Sequence, residues 1–156
     1  QGYCFGVGLE FSLACDFRIV TRNSQLSLPE MKIGMIPGSG GSVRLARMIG
    51  LSRVKDMIMR GKRISGEEAF KWGLASEIVE SLKLEEATSK LVKELCSVSP
   101  LAQRAIKTVL NTSQDAPLHV AIELEGETYG RLRSSNDFKE GVSSFVEKRK
   151  PVYKGN

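Results

Sequence analysis

The sequence predicts an α/β fold, and three observations carry that reading. Over the first 80 residues short strand-like runs alternate with helical periods, glycine turns open two of the helices, and from residue 81 onward the apolar spacing is helical throughout. The expected organisation is a mixed core at 1–80 that carries the chemistry, followed at 81–156 by a helical region.

Gly2 to Gly8 holds three glycines, and Gly6-Val7-Gly8 stands directly before Leu9-Glu10-Phe11-Ser12-Leu13-Ala14-Cys15. Glycine lets the chain turn sharply and lets backbone N–H groups approach a ligand unscreened. The first N–H groups of a helix have no intrahelical partner and sit at its positive end, so this turn is a ready oxyanion site. The following helix is apolar on nearly every side, which predicts burial, and it carries Glu10 inside. Taken singly these features also have a plain reading: a turn, and a first-turn Glu that favours the helix dipole by about 0.3 to 1 kcal/mol. The dinucleotide fingerprint is excluded, because Phe11 stands where its third glycine belongs.

Asp16 ends that helix, and Phe17-Arg18-Ile19-Val20-Thr21 reads as a strand, with Arg18 free to reach Asp16 or solvent. Asn23-Ser24 makes the turn, and Leu26-Ser27-Leu28 returns the chain to Pro29-Glu30. Helix, strand, turn and return can place Glu10 and Glu30 in one pocket. Gly38-Ser39-Gly40-Gly41 then opens a second helix that runs to Gly50. This loop lacks the Gly-Lys-Ser/Thr of a phosphate-binding P-loop, and Pro37 stands where a nucleophile elbow needs glycine.

Helical patterns follow at 52–60 and 65–72. Ser65 and Glu68 have capping-box spacing, and Gly73 suits the stop. Ala75 to Val79 reads as a strand, and Trp72 as a core residue. Beyond Leu84 four amphipathic helices are expected: one marked by Ala87, Leu91, Val92 and Leu95, one with Pro100 in its first turn, one over 117–133, and one from Phe138 to Lys148. Their apolar faces have no sheet of their own to cover, so self-association is the economical expectation.

Composition narrows the function classes. No segment approaches the roughly 20 apolar residues a membrane span needs. The net charge of +5 comes from basic residues scattered among acids, with one Trp and three Tyr, which argues against nucleic acid as a partner. Cys4, Cys15 and Cys96 are odd in number and lack metal-ligand spacing, favouring a reducing compartment and no metal. His119 is the only histidine and is expected to be a partly exposed packing residue. Gln1 opens the chain without a charged leader and apolar core, and the expectation is part of something longer.

In order, Gly6-Val7-Gly8-Leu9-Glu10, Ala14-Cys15-Asp16, Pro29-Glu30 with Gly34, Ile36-Pro37-Gly38 with Gly40-Gly41, Gly61 to Ser65, and Glu68-Ala69 with Gly73-Leu74 resemble the crotonase superfamily, the enoyl-CoA hydratase/isomerase family. The final block, Phe138 to Pro151, matches it as well. The resemblance corresponds to the later part of a family member. It implies a crotonase-like spiral of ββα units, later part only, followed by a C-terminal helical oligomerisation region that forms trimers, often paired into hexamers.

It also implies an acyl-CoA thioester substrate, with coenzyme A as part of that substrate and no separate cofactor. Glu10 and Glu30 become the catalytic pair, Glu10 activating water and Glu30 orienting it and delivering the α proton. The Val7 N–H becomes one of two oxyanion donors; valine replaces a commoner glycine there, but the contact is backbone. Gly6, Gly8, Pro29 and Gly38 become substrate-binding positions, and Phe145 and Lys148 reach the nucleotide end of coenzyme A, commonly in a neighbouring subunit. Two carboxylates in a water-poor pocket titrate together and keep a proton available. Because members that only shift a double bond commonly lose the Glu10 position, a hydratase is expected. The alternatives are an isomerase of the same family or a non-catalytic, truncated assembly subunit. The expected compartment is the cytoplasm, or alternatively the mitochondrial matrix.

Overall fold

The computed structural model describes residues 1–156, in two compact units, Gln1–Ser89 and Lys90–Asn156. The first unit begins with β1 (Tyr3–Phe5), α1 (Val7–Ala14), β2 (Ile19–Thr21) and β3 (Gln25–Ser27). A short 3-10 turn, Glu30–Ile33, precedes α2 (Gly41–Ile49) and α3 (Leu51–Met59). Then come β4 (Ile64–Ser65), α4 (Gly66–Lys71) and β5 (Glu77–Val79).

Strand pairing sets the geometry that matters. β1 lies parallel to β3, with Phe5 opposite Ser27, and β3 pairs antiparallel with β4; β2 runs parallel to β5 in a second small sheet. Parallel pairing brings the C-terminal ends of β1 and β3 side by side. The start of α1 and the segment Leu28-Pro29-Glu30 therefore leave the sheet next to each other. The Gly6 N–H extends the ladder by donating to the Ser27 carbonyl at 3.0 Å.

The core of this unit gathers Leu9 and Leu13 from α1, Leu26 and Leu28 from the β3 strand and its exit, Leu45 and Ile49 from α2, Met57 from α3, and Ile64, Ala69 and Leu74. Burying each large aliphatic side chain contributes on the order of 1.5 to 3 kcal/mol. The expectation that α1 is buried all round needs correction. Leu9, Glu10 and Leu13 are buried, whereas Val7 and Phe11 are 69% and 75% exposed. Within the unit α1 has partners on one side only, so its apolar outer face stays open.

One local detail was readable from the residues, and a second comes from the structure alone. Ser65 and Glu68 form the full capping box: the Glu68 N–H donates to Ser65 Oγ at 3.1 Å, and the Ser65 N–H to Glu68 Oε2 at 2.9 Å. Gly66 sits where a β-carbon would fall 2.0 Å from the Thr21 carbonyl oxygen, so only glycine lets α4 approach β2. Arg18 reaches further than expected. Its guanidinium donates to the carbonyls of Ser12, Cys15 and Leu74, capping the C-terminal end of α1 with a cation. Trp72 packs on the core and lies under Arg53 and Lys62, whose charges stand 5.1 and 5.6 Å from its ring. The strands are shorter than their sequence patterns: Phe17 and Arg18 precede β2, and Ala75 and Ser76 precede β5.

The helix α5 (Leu84–Cys96) runs across the boundary between the units, and the second unit continues with α6 (Pro100–Ser113), α7 (Leu118–Arg133) and α8 (Asn136–Val146). Pro100 occupies the first turn of α6 and Ser99 caps it, its Oγ accepting from the Ala102 N–H. The buried Asp137 organises the end of the chain. It accepts from the Ser99 hydroxyl at 2.7 Å and from the N–H groups of Lys154 and Gly155, each at 3.0 Å. His119 is exposed on α7. No helix is long and apolar enough to cross a membrane.

Candidate active site

Glu10 occupies the first turn of α1 and is 2% exposed. Its Oε1 accepts two backbone hydrogen bonds, from the Ser39 N–H at 2.8 Å and the Gly41 N–H at 2.9 Å. These donors belong to the loop that opens α2, where helix N–H groups lack intrahelical partners and the dipole favours negative charge. The carboxylate is thus held by one oxygen at the positive end of α2, and no hydrogen bond engages Oε2.

Close contact enforces the arrangement. A β-carbon on Gly41 would lie 2.6 Å from Glu10 Cγ, so Glu10 rests against bare backbone. Gly40, at φ +87°, turns through the left-handed region that glycine occupies without penalty and so aims both N–H groups at one point.

Glu30 begins the 3-10 turn at the exit of β3. Its Oε1 lies 3.0 Å from where a Gly6 β-carbon would be, and Gly6 itself has φ +54°. Its Oε2 is buried and has no hydrogen-bond partner. An unpaired buried carboxylate oxygen costs free energy, so this atom is one a ligand would satisfy. Just ahead of Glu10 in sequence lies the start of α1, where the Glu10 N–H closes the first helical bond onto the Gly6 carbonyl at 3.0 Å. The N–H groups of Val7, Gly8 and Leu9 are therefore the orphan donors of this helix.

The parallel β1–β3 pair thus brings Gly6, Val7 and Gly8 together with Pro29 and Glu30, and α1 carries Glu10 to the loop containing Gly38. Gly38 is exposed, and Pro29 is half-buried. Phe145 and Lys148 belong to the second unit, at the end of α8 and just past it. Phe145 is 84% exposed, and Lys148 is the one non-glycine residue with positive φ, +53°. Two cavities lie elsewhere in the chain. One, of about 250 Å3, is lined by Cys4, Ser12, Cys15, Arg18 and Leu74 among others, and one of about 530 Å3 lies among α6, α7 and α8. Neither is lined by Glu10 or Glu30, because both carboxylates lie tight against glycine backbone. No group of three or more His, Cys, Asp or Glu side chains is placed to hold a metal ion.

Sequence reasoning missed Ser39 and Gly41 as the partners of Glu10. The available signal was the glycine-rich loop opening α2, whose free N–H groups suit an anion, here supplied by the chain itself.

The family model described as enoyl-CoA hydratase/isomerase matches residues 1–156. A carnitinyl-CoA dehydratase of Salmonella typhi is 37% identical over 164 residues, covering 99% of this chain and 61% of that protein. Among solved structures, an enoyl-CoA hydratase from Bacillus anthracis superimposes with a TM-score of 0.96 at 39% identity, covering 99% of this chain and 60% of that one. An enoyl-CoA hydratase from Polaromonas sp. JS666 gives 0.94 at 26% identity, with 99% and 60% covered. The chain therefore spans about 60% of the length of the relatives it matches.

Proposed function

The chain belongs to the enoyl-CoA hydratase/isomerase family and has the crotonase-like fold over the part it spans, and from this premise we propose that the protein adds water, in the syn sense, across the 2,3 double bond of an enoyl-CoA thioester. The observation that supports this reading is the state of Glu10: buried, fixed through Oε1 alone, and with Oε2 unengaged. A carboxylate that only neutralised a helix dipole would not need one oxygen kept free. Dehydratase and hydratase, the activities in the names of two relatives, are the two directions of one chemical step.

In the proposed reaction Glu10 Oε2 takes a proton from water as the oxygen bonds to C3. Negative charge moves to the thioester oxygen, which the Val7 N–H stabilises; losing one such oxyanion donor costs about 3 to 4 kcal/mol in other enzymes. Glu30, with its unpaired buried Oε2, orients the water and delivers a proton to C2 on the same face. Gly6, Gly8, Pro29 and Gly38 let backbone approach the thioester. The step involves no net oxidation, so coenzyme A enters as part of the substrate and no redox cofactor is required. Phe145 and Lys148 contact the nucleotide end of coenzyme A bound in a neighbouring subunit, Lys148 as a compact positive charge for phosphate.

The presence of both carboxylates favours water addition over a simple double-bond shift. We further propose assembly into trimers or hexamers through the helical second unit, where Ile106, Leu110 and Ile122 are exposed on α6 and α7. A monomeric mass in light scattering would overturn the assembly. The three free cysteines suit a reducing compartment, the cytoplasm or the mitochondrial matrix.

The test follows loss of conjugated enoyl-thioester absorbance with crotonyl-CoA and the full-length protein. Glu10→Gln and Glu30→Gln are each expected to lower kcat by about 100- to 10,000-fold, the range for a positioned acid or base. Parent-level turnover in both variants would sink the reading.

A further inference from the structure

We propose that Arg44 is a positioning residue for Glu10, acting through the Gly38–Gly41 loop; this rests on the role of Glu10 in water addition. Arg44 is the fourth residue of α2 and grips that loop twice. Its backbone N–H donates to the Gly40 carbonyl at 3.0 Å, and its Nη1 donates to the Ser39 carbonyl at 2.9 Å. The guanidinium lies directly over Gly40: a β-carbon there would fall 2.2 Å from Nη1 and 3.1 Å from Cζ.

The loop is therefore clasped from two sides. Glu10 presses on the bare α-carbon of Gly41 while Arg44 covers the bare α-carbon of Gly40. Ser39 is the shared residue, because its carbonyl accepts from Arg44 and its N–H donates to Glu10 Oε1. A carbonyl bonded to a cationic donor is held more firmly than one bonded to water. That bond fixes the rotation of the peptide joining Ser39 to Gly40, at the edge of the permissive Gly40–Gly41 pair, and so fixes where the Ser39 and Gly41 N–H groups point. Releasing it leaves Glu10 buried but less well aimed, and a displacement of about 1 Å can cost as much as 100-fold in rate.

Arg44 is exposed, so removing its side chain buries no unpaired polar group. The test compares the full-length protein with Arg44→Met, Arg44→Lys and Glu10→Gln, reading kcat and KM for crotonyl-CoA together with Tm. Arg44→Met is expected to lower kcat about tenfold or more with KM and Tm little changed. Arg44→Lys, which keeps a cationic donor of similar reach, is expected to recover part of the loss. A kcat for Arg44→Met within about twofold of the parent, or a fall in kcat that comes with a matching rise in KM and drop in Tm, overturns the proposal. Should Arg44→Met not fold, Arg44→Gln, shorter and uncharged, carries the same reading. Lost turnover in Glu10→Gln with normal kcat in Arg44→Met removes only the role of Arg44. Normal turnover in Glu10→Gln removes the water-adding reading and this proposal together.

Discussion

The carboxylate of Glu10 lies against the bare α-carbon of Gly41, and the two are bonded through the Gly41 N–H at 2.9 Å. A β-carbon on Gly41 would stand 2.6 Å from Glu10 Cγ and 2.8 Å from Oε1, distances that real contacts do not show. Gly41→Ala must therefore move either the helix or the carboxylate. The expected outcome is a destabilisation of about 1 to 3 kcal/mol from overpacking, with kcat reduced by about tenfold or more through misplacement of Glu10. Denaturant unfolding and crotonyl-CoA turnover check the two parts separately. Parent-level turnover in a folded Gly41→Ala protein would contradict the tight seat of Glu10.

The capping box at α4 gives a prediction independent of any activity. Ser65→Ala removes the oxygen that accepts from the Glu68 N–H. A loss of about 1 kcal/mol is expected, because the first turn of α4 is left with an unpaired donor where Gly66 packs tightly on Thr21. Urea denaturation of the two proteins measures it, and Ser65→Thr is expected to retain most of the stability.

Lys148 sits at φ +53°, just past α8, where its N–H donates to the Phe145 carbonyl at 3.3 Å and the Arg149 N–H to the Ser144 carbonyl at 3.0 Å. Helices commonly end this way on glycine, and a side chain in the left-handed region costs about 1 kcal/mol. Lys148→Gly is expected to stabilise the protein by about that amount while raising KM for crotonyl-CoA. A thioester lacking the nucleotide should show no rise in KM. An unchanged KM for crotonyl-CoA would remove Lys148 from the nucleotide contact.

The end of the second unit carries a pH signature. Arg149 donates to both oxygens of Glu140, and the Val152 N–H donates to Oε1 at 2.8 Å. The Arg149 guanidinium, first among the causes, and the Val152 N–H hold the Glu140 carboxyl at about 2, below its ordinary 4.5. A carboxyl depressed on folding adds stability above its unfolded value, and that contribution is lost as pH falls through its folded value. The window therefore runs from about 4.5 down to about 2. For Asp137 burial pushes the carboxyl up, but the bonds from Ser99, Gly155, Lys154 and Asn156 outweigh it and hold it below the ordinary value, so it acts in the same direction. The Val152 amide signal in NMR is expected to keep its position through the ordinary carboxylate range and to move only as pH nears about 2. Glu140→Gln should move it already at neutral pH. A shift centred in the ordinary range would contradict the pairing.

Much of this protein was legible along the chain where cause and effect lie within one turn. Ser65 and Glu68 are three residues apart, Pro100 follows its own cap, and the glycines at 6, 40 and 41 announce helix starts by their backbone freedom. The carboxylates were conspicuous because Glu10 interrupts an apolar helix and Glu30 follows Leu28-Pro29. What stayed hidden depends on distant contact. The partners of Glu10 are 29 and 31 residues away, and the cation over Gly40 comes from Arg44 only because α2 begins where it does. The open face of α1 was misread for the same reason, since periodicity shows which residues are apolar but not which have a neighbour.

By itself the sequence determined the alternation of short strands and helices, the turns that only glycine can make, and two acids placed among apolar residues. Those are local properties, written in spacing, side-chain shape and backbone freedom. Only the tertiary structure decided that one oxygen of Glu10 is tied to the N-terminal loop of α2 while the other stays free, and that Glu30 rests against Gly6 with an oxygen buried and unpaired. The reason is that a hydrogen-bond partner is chosen by proximity in space, and the parallel pairing of β1 with β3 and the packing of α1 on α2 set that proximity.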